Sequence, residues 1–285
     1  MADAGVRTIQ PPLLDHLRRL MLDHAGFALQ PGMDHLVEHH LAGLARRRGL
    51  AGAEQLLARV AAAPDGRLQA EIVEAMTVRE TSFFRDREPF EALAGHALPG
   101  LLGPGHGRRH LTLWSAGCAS GQEPYSLAML LRERFPALVD EGRARILATD
   151  ISAEMIARAR EGDYSLVELN RGLPAALLLA HFEQHGLRWR VRAETRRLVE
   201  AARLNLAGPW PPLPRVDVIF ARYVLMYLHL DARRAILERW RRVMAPDGLL
   251  FIGATETLLG VSDAFERVQL GRAACYRPRG RPAGR

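Results

Sequence analysis

Apolar residues recur at helical spacing through the first quarter of the chain. Leu13, Leu14, Leu17, Leu20 and Met21 share one face, with Asp15, Arg18 and Arg19 on the other. A second run carries Met33, Leu36, Val37, Leu41 and Leu44 and ends in Arg46-Arg47-Arg48-Gly49. Arginines followed by glycine are an ordinary helix C-terminus. Two shorter stretches follow, around Leu56, Leu57 and Val60 and around Leu68, Ile72, Val73 and Met76. The turns Pro31-Gly32 and Pro64-Asp65-Gly66 separate these elements. Residues 12–76 therefore predict a bundle of about four helices.

Beyond residue 110 the rhythm becomes strand, helix, strand. Leu111–Trp114, Ile146–Ala148, Val216–Phe220 and Gly248–Gly253 are short apolar runs bounded by turns. Between them lie a helix from about Pro124 to Arg134, one capped by Ser152, and a long amphipathic one capped by Asp231 and carrying Ile236, Leu237, Trp240 and Val243. Alternating strands and helices predict an α/β fold with a doubly wound, mostly parallel sheet over residues 77–276. A small β insertion is expected at about 182–202, with strands near Leu187–Val191 and Arg197–Ala201. The Arg/Pro/Gly-rich stretch 277–285 reads as a disordered tail.

Composition narrows the class. The 285 residues, 48% hydrophobic and 25% charged, match ordinary globular usage. No apolar run is long enough to span a membrane, and the N-terminus shows no secretory pattern, so a cytoplasmic location is expected. Cys118 and Cys275 form neither a disulfide framework nor a metal pattern, and no metal is expected. All 39 basic residues are arginine and the net charge is +7, which favours anionic partners without choosing among them.

Four segments carry candidate chemistry. Ser115-Ala-Gly-Cys-Ala-Ser-Gly121-Gln-Glu-Pro-Tyr-Ser126 puts a glycine turn, including Gly117, between the first strand and its helix, where backbone can approach a ligand closely. It lacks the Gly-Lys-Ser/Thr ending of a nucleoside triphosphatase loop. Asp150 ends the second strand, where a carboxylate accepts the ribose hydroxyls of a nucleoside cofactor. Taken alone, each has a plain structural explanation, as a strand–helix turn and a helix N-terminal Asp. Thr81-Ser-Phe-Phe-Arg85-Asp86 sets two aromatics and an arginine side by side at the domain junction, and they cannot all face one core. Phe220-Ala-Arg222-Tyr223-Val-Leu-Met-Tyr227 brings polar groups out of an apolar strand at the edge where open α/β sheets bind ligands.

These segments together resemble the CheR-type chemotaxis receptor methyltransferases. The likeness rests on TSFFRD, SAGCASGQEPYSLAM, ATDIS, LNL, IFARYVLMYL and PDGLLFIGATE, all in family order, and spans about residues 12–276. It implies a protein-glutamate O-methyltransferase that uses S-adenosylmethionine and releases S-adenosylhomocysteine. By motif position the family's cofactor contacts fall on Thr81, Arg85, Glu123, Asp150, Asn205 and Leu206, with Arg222-Tyr223 at the strand end. Arg85 and Tyr227 match the residues beside the reactive methyl. Two positions depart from the family: Arg79 and Tyr223 stand where asparagines are usual at the cofactor.

The implied partner is a methyl-accepting chemoreceptor or related signalling protein, with the membrane involved only indirectly through it. Arg46, Arg47 and Arg48 are the expected docking cluster for receptor carboxylates. Direct recognition of the methylation helices is expected, without dependence on a C-terminal receptor tether. Two alternatives stay open. One is an S-adenosylmethionine-binding regulatory protein of the same fold with weak or lost activity. The other is a nucleic-acid methyltransferase, disfavoured because the chain has no aromatic-interleaved basic stretch and no flipped-base motif.

Overall fold

In a computed structural model the described residues are 9–29, 34–63, 65–103 and 110–280, the side chains of 34–36 excepted. Met33, the turn Pro31-Gly32, Pro64 and residues 281–285 lie outside them. The chain divides into two compact units, one up to Val78 plus Tyr227–Ala232, the other Arg79–Met226 plus Arg233 onwards.

The first unit contains α1 (Pro11–Ala25), α2 (Asp34–Arg47), α3 (Ala53–Ala62) and α4 (Gly66–Ala75). Leu14, Leu17, Leu20 and Met21 of α1 are buried, as are Leu56, Leu57 and Val60 of α3 and Leu68, Ile72 and Val73 of α4. Gly26 ends α1 in the left-handed region at φ 65°, and the Asp65 carboxylate caps α4 by accepting the Arg67 and Leu68 amides. Tyr227 and Leu228 join this unit through Phe27: Leu228 bridges it, and the Tyr227 ring stacks on it with centroids 6.4 Å apart.

The second unit holds α5 (Glu88–Ala92), α6 (Leu98–Leu102), β1 (Leu111–Ala116), α7 (Gln122–Arg134), α8 (Pro136–Asp140), β2 (Ala144–Asp150), α9 (Ala153–Glu161), β3 (Asp163–Tyr164), α10 (Leu166–Leu169), α11 (Ala175–His181), β4 (Phe182–His185), β5 (Arg188–Val191), α12 (Ala193–Arg196), β6 (Val199–Arg203), β7 (Val216–Ala221), α13 (Leu230–Val243), β8 (Met244–Ile252), β9 (Phe265–Leu270) and β10 (Ala273–Pro278). Seven strands form one sheet in the order β6-β2-β1-β7-β8-β10-β9. β6, β2, β1, β7 and β8 are parallel, while β10 runs against both β8 and β9. From β1 the chain builds outward to β2 and β6, then returns to lay β7 and β8 on the other side. The reversal falls between β1 and β7, and a doubly wound sheet binds its ligand outside the carboxyl ends of the strands at that point. β1 and β7 are buried along their whole lengths, as a central parallel strand requires.

Three expectations need correction. The stretch near Arg197–Ala201 is not a partner of β5; as β6 it pairs with β2 in the main sheet, from Ile146↔Val199 to Asp150↔Arg203. β5 instead pairs with β4 and β3 in a separate three-stranded sheet. Asp231 sits in the first turn of α13 rather than at its cap, since the helix starts at Leu230. Arg277 and Pro278, expected in the tail, are ordered in β10, where they pair with Glu266 and Phe265. Pro246-Asp247-Gly248 forms an irregularity inside β8, where the register with β7 jumps from Val216↔Met244 to Val218↔Leu249. Among the described residues no helix is long and apolar enough to cross a membrane.

Candidate active site

The site grows from the carboxyl ends of β1, β2 and β7. After β1, Gly117 takes φ 78°, and a Cβ there would stand 2.5 Å from the Val224 Cγ2. Only glycine fits this turn. The Gly117 and Cys118 amides donate to the Thr149 carbonyl at 2.7 and 2.9 Å, tying the turn to the end of β2. Asp150, next along, accepts the Ala119 amide on one carboxylate oxygen and the Ser152 amide on the other, each at 2.9 Å. The two donors fix the carboxylate at the strand end, while Ser152 caps α9 by accepting the Met155 amide.

A polar chain links β1, α7, β7 and the segment before α5. The Ser115 hydroxyl donates to Glu123 Oε1 at 2.7 Å. Arg222, at the end of β7, donates to Glu123 Oε2 at 3.3 Å, to Asp86 Oδ2 at 2.7 Å and to the Arg85 carbonyl at 2.6 Å. Its side chain is 1% exposed, against 12% for Glu123 and 34% for Asp86. The Tyr223 hydroxyl also donates to Asp86. Burial pushes the Glu123 carboxyl up from the ordinary carboxylate range, against the pull of Arg222 and Ser115. Burial acts in the same sense on Asp86, but the Tyr223 hydroxyl and the Arg222 guanidinium outweigh it and hold Asp86 below its usual value. The Tyr223 phenol is raised by burial and by the Asp86 charge.

The two adjacent phenylalanines separate. Phe83 is fully buried edge-on to Tyr164 and Phe182, while Phe84 packs on Phe90 and its amide donates to the Ser126 hydroxyl. This leaves Arg85 at the edge, its Cζ 3.9 Å from the centre of the Tyr223 ring and one N–H on the Glu80 carbonyl. Thr81 is half-buried and takes no part in this chain. Asn205 accepts the Ala207 amide at 3.0 Å, and the Leu206 carbonyl accepts the Trp210 indole N–H at 3.0 Å; both lie in the loop after β6.

The remaining expected residues have contacts of their own. Arg79 pairs with Glu154 at 2.6 Å on the surface of its unit. Tyr227 belongs to the helical unit, where its carbonyl accepts the Ala28 amide. Of the arginine cluster, Arg46 and Arg47 are exposed, but Arg48 is bound to Glu71 at 2.6 Å and joins the end of α2 to α4.

Two residues of this edge were not singled out in the sequence. Asp86 was quoted only as the end of a motif. Glu256, three residues beyond the strand-end Gly253, accepts the Tyr223 and Gly253 amides on Oε2, each at 2.7 Å, and the Met226 amide on Oε1 at 2.9 Å. A Cβ on Gly253 would stand 2.8 Å from Tyr223 Cδ1 and 2.9 Å from Glu256 Oε2. An acidic residue just past a strand-end glycine is the available signal, and it is weak.

Comparison with known proteins adds to this geometry. Residues 79–274 match the family described as CheR methyltransferase, SAM binding domain. A chemotaxis protein methyltransferase of Pseudomonas putida is 35% identical over 262 residues, covering 90% of this chain and 95% of the relative. One from Pseudomonas aeruginosa is 36% identical, covering 88% and 92%. One from Vibrio parahaemolyticus is 35% identical, covering 91% and 94%.

Proposed function

The chain belongs to the CheR methyltransferase family and is an S-adenosylmethionine-dependent methyltransferase of chemotaxis signalling; from that premise we infer which acceptor it serves and which residues serve it. The acceptor is a glutamate side chain of a cytoplasmic chemoreceptor region, converted to its methyl ester. The observation that carries this reading is that the family match encloses the whole strand-end chain from Asp86 to Glu256.

The residues present fit the cofactor. The side-chain-free turn at Gly117 and the amide-fixed carboxylate of Asp150 suit a nucleoside at the switch between β1 and β7. Asp150 would accept hydrogen bonds from the ribose hydroxyls, and Thr81, Glu123, Asn205, Leu206 and Arg222 would hold the rest of the cofactor. When bound, S-adenosylmethionine supplies a methyl group on a positively charged sulfur. The acceptor needs no general base, because a glutamate with an ordinary pKa of about 4.3 is already ionised near neutrality. The chain's task is to orient and to exclude water, and orientation is worth roughly 7–11 kcal/mol in favourable cases. Arg85 holds the acceptor carboxylate by charge-assisted N–H donation. Tyr227 is assigned beside the methyl on the family likeness alone.

The direct test is transfer of a radiolabelled methyl group to membranes carrying chemoreceptors. Base-labile label on the receptor is expected, as an ester requires. Label that resists base, or that appears on nucleic acid, would overturn the assignment.

A further inference from the structure

We propose that Tyr223 is a positioning residue whose ring seats the Arg85 guanidinium and whose hydroxyl ties that seat to Asp86. The proposal rests on the reading of Arg85 as the residue that holds the acceptor carboxylate. Tyr223 stands at φ 59°, a conformation rarely adopted by a bulky side chain. It is kept there by the hydrogen bond its backbone N–H donates to the Glu256 carboxylate and by Gly253, whose missing side chain makes room for the ring. The ring lies 3.9 Å from the Arg85 Cζ, and its hydroxyl donates to Asp86, so both ends of the side chain are engaged.

The chemistry explains why an aromatic ring is suited to this place. Arg222 already donates to the Arg85 carbonyl and to Asp86, so the nearby acid is committed to another guanidinium. A carboxylate bound directly to Arg85 would take the N–H pairs that the acceptor needs. A ring face attracts the cation without using its N–H groups, which stay available as donors. Among the described residues one of them is spent, on the Glu80 carbonyl at 3.2 Å. Asp86 then anchors the platform through the phenol.

Three variants and one cycle test this. Tyr223→Leu and Tyr223→Asn remove the ring and should lower kcat about tenfold. KM for receptor and affinity for S-adenosylhomocysteine should each change less than about threefold, because Arg85 stays present to pair with the acceptor and the seat sets its orientation for transfer. Tyr223→Phe keeps the ring and should restore kcat to within about threefold of the parent. In an Arg85→Ala background, Tyr223→Leu should cause no further loss, since the two act as one unit. Melting midpoints identify any variant that fails to fold, and either ring-removing variant suffices. Parental kcat in a folded Leu or Asn variant beside a strongly slowed but measurable Arg85→Ala enzyme overturns the seat alone. Full additivity in the cycle, or a Phe variant as impaired as the Leu one, also overturns it. Parental turnover in Arg85→Ala removes the reading of Arg85 and the seat with it.

Discussion

Arg222→Met is the sharpest perturbation of the site. The guanidinium is 1% exposed and lies between two carboxylates, 3.3 Å from Glu123 and 2.7 Å from Asp86. Methionine fills similar volume without charge, so packing is largely kept and the electrostatics are removed. Breaking a buried ion pair by removing one partner costs about 3–5 kcal/mol, because the charge left behind has neither partner nor water. Asp86, 34% exposed, regains water and keeps Tyr223, so its share must be discounted. Glu123, at 12%, keeps only the Ser115 hydroxyl. About 3 kcal/mol of destabilisation is expected, or a melting midpoint lower by roughly 6–12 °C for a unit of this size. Thermal melting beside calorimetric titration with S-adenosylhomocysteine measures both consequences. Adding Glu123→Gln to Arg222→Met should recover most of the loss, since no uncompensated charge then remains. A single variant melting within 1–2 °C of the parent, or a double variant less stable than the single, would refute the buried-pair account.

Further outcomes follow from the same contacts. Asp150→Ala should weaken S-adenosylhomocysteine binding by about 1.5–3 kcal/mol, the range for lost charge-assisted hydrogen bonds, read by calorimetry. Asp86 is held below its ordinary value, so its stabilisation is complete above the usual carboxylate range and fades as pH falls through the depressed one. Asp86→Asn should therefore flatten the acid limb of the melting-temperature profile; an unchanged limb counts against the pairing. Arg46→Gln with Arg47→Gln should raise the KM for receptor and flatten its salt dependence, whereas including Arg48 would also break the Glu71 pair and confuse the result. Removal of a receptor's C-terminal tail should leave its methylation rate nearly unchanged, because the outer strand β4 presents Glu183, Gln184 and His185 to solvent rather than apolar pockets for alternate side chains.

How much of this was legible depends on whether the deciding interaction is local. β1, β2, β7 and β8 were readable because central parallel strands are continuous apolar runs with turns at their ends. β6 was misread because Val199-Glu-Ala-Ala-Arg203 is a half-exposed edge strand, and its pattern does not say which sheet it joins. Its membership is decided by pairing with β2, about fifty residues earlier in the chain. The site divides in the same way. Glu123, Asp150 and Arg222 are polar groups at the ends of apolar elements and can be seen from their neighbours. Asp86 and Glu256 act mainly by accepting donors from distant segments, Arg222 and Tyr223 in one case and a β7-end loop in the other, so their neighbours mark them only weakly.

The two departures from the family, Arg79 and Tyr223, bear on whether this chain is a working enzyme or a binding relic. Arg79 is simply accommodated: its pair with Glu154 is exposed on both sides, 32% and 62%, and such a pair is worth about 0–1 kcal/mol. Tyr223 is built in, through Asp86, Arg85, Gly253 and Glu256. Among the described residues the non-glycine positions in the left-handed region are Phe84, Asp86, Ala119 and Tyr223, and all four lie at this one edge of the sheet. Backbone strain of this kind costs on the order of 1–3 kcal/mol per residue and persists only where the surroundings impose it. Here the surroundings are a buried guanidinium bound to two acids and a glutamate that clamps three amides. A site freed from catalysis loses the selection that keeps such costs in place, and relaxation at any of the four positions would lower the energy. Their presence together at one edge, with Arg85 left able to donate to an acceptor, fits a working enzyme better than a relic.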